Sequence, residues 1–315
     1  MPPASRDLCR LSLFAFCGRR AAVERLFAGS LAEAPASIRE FWLATADLAA
    51  GNTEAAKHQL EQLLPAADLP LRLAIERRLA SRSQPPPLLD ERAEQVLAEA
   101  TREHGQDESF GAPRSLFSRQ ARATQMLILV NGFMFAVEMS LGGGSNPETL
   151  YRLGALYPPA VQAGEWWRLI AAFFLHYGWL HLTMNMLALW VLGPFAEFAL
   201  GARRFLFVYL LSGAGSMAAV LWFSASEQVT LGASGAIMGL VGATGALMLR
   251  GWRRENAPIA RRRLAATASI VAMQTAFDWM VPQVSMTGHL SGAGIGFVAA
   301  LALRDRLGAK PGRRK

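Results

Sequence analysis

The chain has 315 residues, 52% hydrophobic and only 18% charged, with the charges crowded into the first third and into short clusters afterwards. That distribution excludes a single water-soluble globule and points to a soluble head followed by a membrane body. The formal net charge of +8 would suit a nucleic-acid binder, but the basic residues of the body sit at the ends of apolar runs, where membrane topology accounts for them, so no nucleic-acid partner is expected. Cys9 and Cys17 build neither a metal-ligand spacing nor a disulfide framework. They are expected to be buried reduced thiols, and no metal or cofactor is expected.

The first twenty residues are too polar and interrupted for a secretory signal peptide, so targeting is expected from a later apolar segment. Residues 1–83 read as a small soluble α-helical domain of short amphipathic helices. In it, Phe41 through Ala50, a Gly51-Asn52 break and a helix opened by Thr53 as N-cap resemble one hairpin of the tetratricopeptide kind. Residues 84–122 are expected to form a linker, marked by Gln84-Pro85-Pro86-Pro87, and a helix from about Asp90 to His104.

Six almost uncharged runs follow, at about 123–141, 169–200, 205–223, 234–249, 264–280 and 289–303, near or slightly below the ~20 residues a bilayer crossing needs. Six crossings put both termini on one side. Arg114, Arg119, Arg122, Arg203, Arg204, the cluster from Arg250 to Arg263 and the basic tail from 305 to 315 all fall on that side. The opposite side carries Arg152 and Arg168 in one long connection, and Glu227 with no basic residue in the two short ones. The positive-inside rule then makes both termini and the head cytoplasmic.

Two residues stand out in this frame. Ser234, within Gly232-Ala233-Ser234-Gly235, and His289 each open a span running inward from the outer face. A serine at a helix N-terminus meets unpaired amide donors and the positive end of the helix dipole, which favour developing negative charge. A histidine in a bilayer segment is costly without a partner or a task. In the second run His181 and Asn185 lie four apart on one helical face, also in the outer half. Acyl transfer needs a nucleophile, a base and donors aimed at an oxyanion, and these four side chains supply one of each.

With these residues in place the sequence resembles the rhomboid intramembrane serine proteases over roughly Ala163 to Leu303. Trp167-Arg168 resembles the family's signature in the first external loop. His176, His181 and Asn185 match the His, His and Asn of its second helix, and Glu197 with Gly201 match the acid and glycine that end it. Gly232, Ser234 and Gly235 match the nucleophile motif, and His289, Gly292 and Gly296 match the His-x-x-Gly-x-x-x-Gly run of the last helix. The resemblance implies an all-α, six-transmembrane-helix bundle over residues 123–304. It also implies a Ser234–His289 dyad without an acid, an oxyanion site of His181, Asn185 and the Ser234 backbone amide, and membrane-protein substrates. Localisation follows as a multi-pass protein of a prokaryotic inner membrane, with the helical head free to bind a cytoplasmic protein.

Several residues have structural roles in this reading. Trp167 is an interface anchor, Arg168 ties the external loop together, Glu197 is an ion pair with Arg203 and Arg204 or a cap, and Gly292 and Gly296 let two helices approach. Met238 departs from the family, which often has an aromatic residue four positions after the serine. Asp278 and Glu138 are set aside as triad members, because the resemblance calls for no acid. Two alternatives accompany the protease reading: an inactive relative that binds membrane proteins without cutting them, and a transporter with a polar midplane site. The polar groups gather toward one face and no inverted pair of broken helices is visible, which disfavours the transporter.

Overall fold

Among the described residues, 3–80, 89–111, 117, 121–223, 229–281 and 285–307 of a computed structural model, fifteen α-helices form two units, Met1–Glu108 and Ser109–Lys315. The proline-rich stretch at 84–87, Arg114, Arg119, Glu227 and the tail beyond 307 lie outside the described residues.

The first unit contains α1 (Pro3–Phe16), α2 (Arg20–Ala28), α3 (Ala36–Ala49), α4 (Thr53–Leu63), α5 (Leu69–Ala80) and α6 (Glu91–Gln106). Leu11, Phe14, Val23, Leu26, Leu43 and Leu97 form one buried cluster, and Phe41, Leu60, Leu71 and Ile75 a second. Because Leu97 lies on α6, the core reaches past the expected boundary at residue 83. Arg10 reinforces this join, donating to Asp107 at 2.8 Å and to Glu103 at 3.5 Å. The Asp90 carboxylate caps α6 by accepting from the Ala93 amide at 2.7 Å.

Two local expectations change. Asn52 occupies the N-cap of α4 and Thr53 is its first helical residue. Cys9 is exposed rather than buried, because its place two residues from Leu11 turns it away from the core, while Cys17 is half-buried.

The second unit begins its regular structure with α7 (Arg122–Ser140). Short helices α8 (Pro147–Leu153), α9 (Pro158–Gln162) and α10 (Arg168–Ala171) fold the connection that follows. Then come α11 (Gly178–Leu200), α12 (Ala202–Phe223), α13 (Ser234–Glu255), α14 (Pro258–Met280) and α15 (Met286–Ala302). The expected run at 169–200 is two pieces. After α10 the chain makes a 3-10 turn at Ala172–Phe174, extends at Leu175 and restarts as α11 at Gly178, whose φ of +80° suits glycine. The runs at 234–249 and 264–280 are longer than expected: α13 continues to Glu255 and α14 starts at Pro258, with arginines inside both helices near their ends. Long arginine stems permit this, since the charged head reaches water while the backbone continues its ladder.

By length and composition α7, α11 and α12 can cross a membrane, and α15 is apolar but shorter. Large apolar side chains such as Leu129, Phe133, Leu180, Met273 and Trp279 point outward, as lipid-facing positions do. α13 is the opposite case: almost every residue from Gly235 to Met248 is buried, which places this glycine-rich helix at the centre of its unit.

Small residues set how closely its neighbours approach. A Cβ on Gly292 would collide with the Gly235 carbonyl oxygen, one on Gly296 with that of Gly239, and one on Gly242 with that of Ala293. α13 and α15 therefore pack backbone against backbone.

At the other end of the unit, the Glu197 carboxylate accepts from the amides of Ala123 at 2.9 Å and Thr124 at 2.8 Å and from the Thr124 hydroxyl at 2.8 Å. It thus caps α7 from α11, satisfying donors a helix start leaves open. Arg250 pairs with Asp305 and donates to the carbonyls of Ala300 and Leu301, while the Arg306 amide donates to Ala199 at 2.7 Å. Residues 305–307 are therefore docked onto the helices.

Candidate active site

The segment before Ser234 is held in an extended path by main-chain bonds. Leu156 and Thr230 exchange amide-to-carbonyl bonds at 2.9 Å each, and the Gly232 amide donates to Ala172 at 3.0 Å. Gly232 has φ of +122°, and a Cβ there would come within 2.6 Å of the His181 ring. Glycine is required on both counts. The chain then turns into α13 with Ser234 as its first residue.

On the facing helix the Ser285 hydroxyl caps α15 by accepting from the Gly288 amide at 3.1 Å, which places His289 in the first turn. The His289 Nε2 lies 2.7 Å from the Ser234 Oγ, and the ring is buried. On its other side His289 Nδ1 lies 2.8 Å from Asp278 Oδ2, in the last turn of α14. Gln274, one turn earlier on α14, donates from Nε2 to Asp278 Oδ1 at 2.8 Å and has the same nitrogen 3.3 Å from His289 Nδ1. Asp278, which the sequence reading sets aside, is thus in contact with the histidine. The sequence did carry a signal, a Gln and an Asp four apart on one face of an otherwise apolar stretch.

His181 Nδ1 accepts from the Tyr177 amide at 3.2 Å, so the neutral ring carries its proton on Nε2, the nitrogen nearest Gly232. Asn185 is buried one turn further along α11 and spends one amide hydrogen on the His181 carbonyl at 2.8 Å, leaving the other. His176 is buried, its ring edge-on to His181 with centroids 5.4 Å apart. Its amide donates to the Glu138 carboxylate at 3.1 Å, so Glu138 fastens the break between α10 and α11 and stands apart from the serine.

Arg168 is buried in the connection between α7 and α11. It binds Glu165 at 2.6 Å and donates to the carbonyls of Tyr151 at 2.6 Å and Ala155 at 3.0 Å, with its guanidinium over the Tyr151 ring. Trp167 is half-exposed, and its inner edge occupies the space a side chain at Gly154 would need. Met238 is buried one turn into α13 in a cluster with Val241 and Ala293. Gly235, Gly292 and Gly296 form the close helix contact described above, and Glu197 lies at the far end of α11, where it caps α7.

This arrangement presents a hydroxyl hydrogen-bonded to an imidazole at the start of a buried helix, with the His181 ring against the preceding Gly232 and the Asn185 amide one turn further along α11. A nucleophile with an adjacent base and nearby oxyanion donors can perform acyl transfer.

Comparison with known proteins agrees. Residues 163–306 match the family model described as the Rhomboid domain. The chain is 32% identical over 142 residues to the "Putative rhomboid protease YdcA" of Bacillus subtilis (strain 168), covering 45% of this chain and 69% of that protein. It is 36% identical over 182 residues to "Rhomboid protease GluP" of the same organism, covering 57% of this chain and 34% of GluP. It is 27% identical over 198 residues to "Rhomboid protease AarA" of Providencia stuartii, covering 57% and 70%. The chain spans about a third of GluP's length. Taken with the apolar helices of the second unit, these matches establish that the chain belongs to the rhomboid family of intramembrane serine proteases and is an integral membrane protein.

Proposed function

We propose that this chain is an active serine endopeptidase that hydrolyses peptide bonds in or beside the membrane segments of other membrane proteins. The observation that carries the proposal is the 2.7 Å contact between His289 Nε2 and Ser234 Oγ. Ser234 attacks the scissile carbonyl while His289 takes its proton, then returns it to the leaving amine, and water releases the acyl group by the reverse sequence. His181 Nε2–H, the free amide hydrogen of Asn185 and the Ser234 amide serve the oxyanion. Donors of this kind are worth ~3–4 kcal/mol each where measured in other serine proteases.

The arginine asymmetry supports a cytoplasmic head and termini in a prokaryotic inner membrane, with the serine toward the outer face. In this reading residues 1–83 are a helical head able to bind a cytoplasmic protein. Residues 84–122 join it to the protease body at 123–304, and the basic tail from 305 faces the cytoplasm.

The family contains inactive members, so an adaptor that holds membrane proteins without cutting them is the alternative. Treatment of the folded, detergent-solubilised protein with a fluorophosphonate distinguishes them. A covalent adduct that disappears in Ser234→Ala supports the protease, and an unlabelled wild type in a well-folded preparation rejects it.

A further inference from the structure

We propose that the turn between α13 and α14 is a docking surface for anionic phospholipid headgroups, held by Arg253, Arg254, Arg261 and Arg262 at the end of the bundle opposite Ser234.

The turn itself is short. α13 ends at Glu255, Asn256 takes a φ of +49° and Pro258 opens α14, so Asn256 and Ala257 alone separate the two helices. Six arginines fall within the fourteen residues from Arg250 to Arg263. Two of them are spent inside the protein. Arg250 pairs with Asp305 and donates to the Ala300 carbonyl, and the guanidinium of Arg263 lies 5.1 Å from the centre of the Phe195 ring. The other four are exposed, and among the described residues none of their guanidinium groups has an ion-pair or hydrogen-bond partner. Glu255 is the one acid of the turn, and Asp305 is already taken by Arg250. Four like charges gathered on one hairpin tip repel one another, and an external anion relieves that repulsion.

Depth selects a lipid as the source of the anion. On α14, Arg262, Ile270, Met273 and Phe277 share one face of the helix, and all four are exposed. From Arg262 to Met273 the helix rises about 16 Å, and half of a ~30 Å hydrocarbon core is about 15 Å. With Met273 at the bilayer centre, Arg262 therefore sits where the hydrocarbon ends and the phosphates begin. Trp252, 39% exposed in the last turn of α13, suits the same level, since an indole prefers the boundary between chains and headgroups. A lipid lays an acyl chain against Ile270 and Met273 while its phosphate meets Arg261 and Arg262, whereas a free anion has only the second contact. Topology alone asks for less: the turn between α11 and α12 is followed by Arg203 and Arg204 only.

The test equilibrates the full chain in neutral detergent with phosphatidylglycerol and phosphatidylcholine of identical acyl chains, and counts the lipids retained per chain by native mass spectrometry. A basic residue near an anionic surface contributes about fivefold in affinity, so wild type should prefer phosphatidylglycerol on the order of 10²-fold. Arg253→Gln/Arg254→Gln/Arg261→Gln/Arg262→Gln should bring the preference to within threefold of unity. Arg39→Gln/Arg72→Gln/Arg77→Gln/Arg92→Gln removes the same charge from exposed positions of the head and should leave the preference as in wild type. A wild type without preference overturns the proposal, and so does a preference that survives the turn variant. Equal loss in both variants also overturns it, by making net charge the cause. Inorganic phosphate, added to wild type at constant ionic strength, should leave the retained phosphatidylglycerol unchanged; displacement would reveal a site for soluble anions and overturn the lipid assignment. A second measurement needs no variant. Raising the salt concentration tenfold during equilibration should lower the wild-type preference toward unity, and a preference indifferent to salt overturns the proposal even if the turn variant does not fold.

Discussion

Gly292 lies one turn along α15 from His289, and its Cα faces the Gly235 carbonyl, next to Ser234. Replacing it with alanine puts a methyl inside the van der Waals radius of that oxygen, and neither atom can yield, because one is backbone and the other is fixed to it. To restore an ordinary contact α13 and α15 must part by about 1 Å. The 2.7 Å contact between His289 Nε2 and Ser234 Oγ would then stretch to about 3.5 Å, beyond the reach at which a base takes a proton. Misplacement by about 1 Å costs on the order of 10²-fold in rate, and overpacking a close interface costs ~1–3 kcal/mol of stability. The assay is kcat for cleavage of a fluorogenic transmembrane peptide in detergent, with thermal unfolding measured in parallel. Gly294→Ala is the internal control, since it lies on the same helix with nothing within 4 Å of the added methyl, and it should behave as wild type. A Gly292→Ala enzyme within threefold of wild type would refute the reasoning.

Three further outcomes are expected. Glu197→Ala leaves the amides of Ala123 and Thr124 without their acceptor inside the protein, at ~1–3 kcal/mol for each buried donor, and should lower the unfolding temperature in detergent while the fluorophosphonate still labels the surviving folded fraction; an unchanged transition would show that the cap is idle. Met238→Tyr forces a larger ring into the cluster with Val241 and Ala293, costing ~1–3 kcal/mol by overpacking, and should alter kcat through its neighbours near the serine; unchanged kcat would make the packing at this position irrelevant to turnover. Burial holds the imidazole of His104 below its ordinary pKa of 6.5, so it is neutral in the folded head, whereas the unfolded chain gains the proton as pH drops past 6.5. Stability of the head is therefore retained above pH 6.5 and falls as the pH moves below it. Hydrogen exchange of α6, corrected for intrinsic rates, should be faster at pH 5.5 than at pH 7.5 in the full chain and nearly level in His104→Gln; equal protection in the wild type would contradict the sign.

How legible these features were depends on whether their cause is local. The apolar runs, the glycine spacing of the last helix and the helix from about Asp90 follow from near neighbours in sequence, and the matching helices formed. The ends of α13 and α14 are not legible from the uncharged runs, because arginine stems allow the backbone to continue its helix past them. Ser234 and His289 were legible because each opens an apolar helix. Asp278 is visible in the sequence as an acid in an apolar run and is set aside there, although it lies against His289. That contact depends on how the last turn of α14 meets the first turn of α15, a relation between two helices that no periodicity encodes. Glu197 illustrates the same limit, since its partners are more than seventy residues away on the start of α7.

The pair of main-chain bonds between Leu156 and Thr230 makes the segment leading to Ser234 part of the connection between α7 and α11. Three residues separate Thr230 from Ser234, too few to absorb a displacement without turning Gly232 and the serine with it. A shift of the connection held by Arg168 and Ala155 is thereby passed to the Ser234 hydroxyl, so the orientation of that oxygen is a property of the whole connection and not of α13 alone.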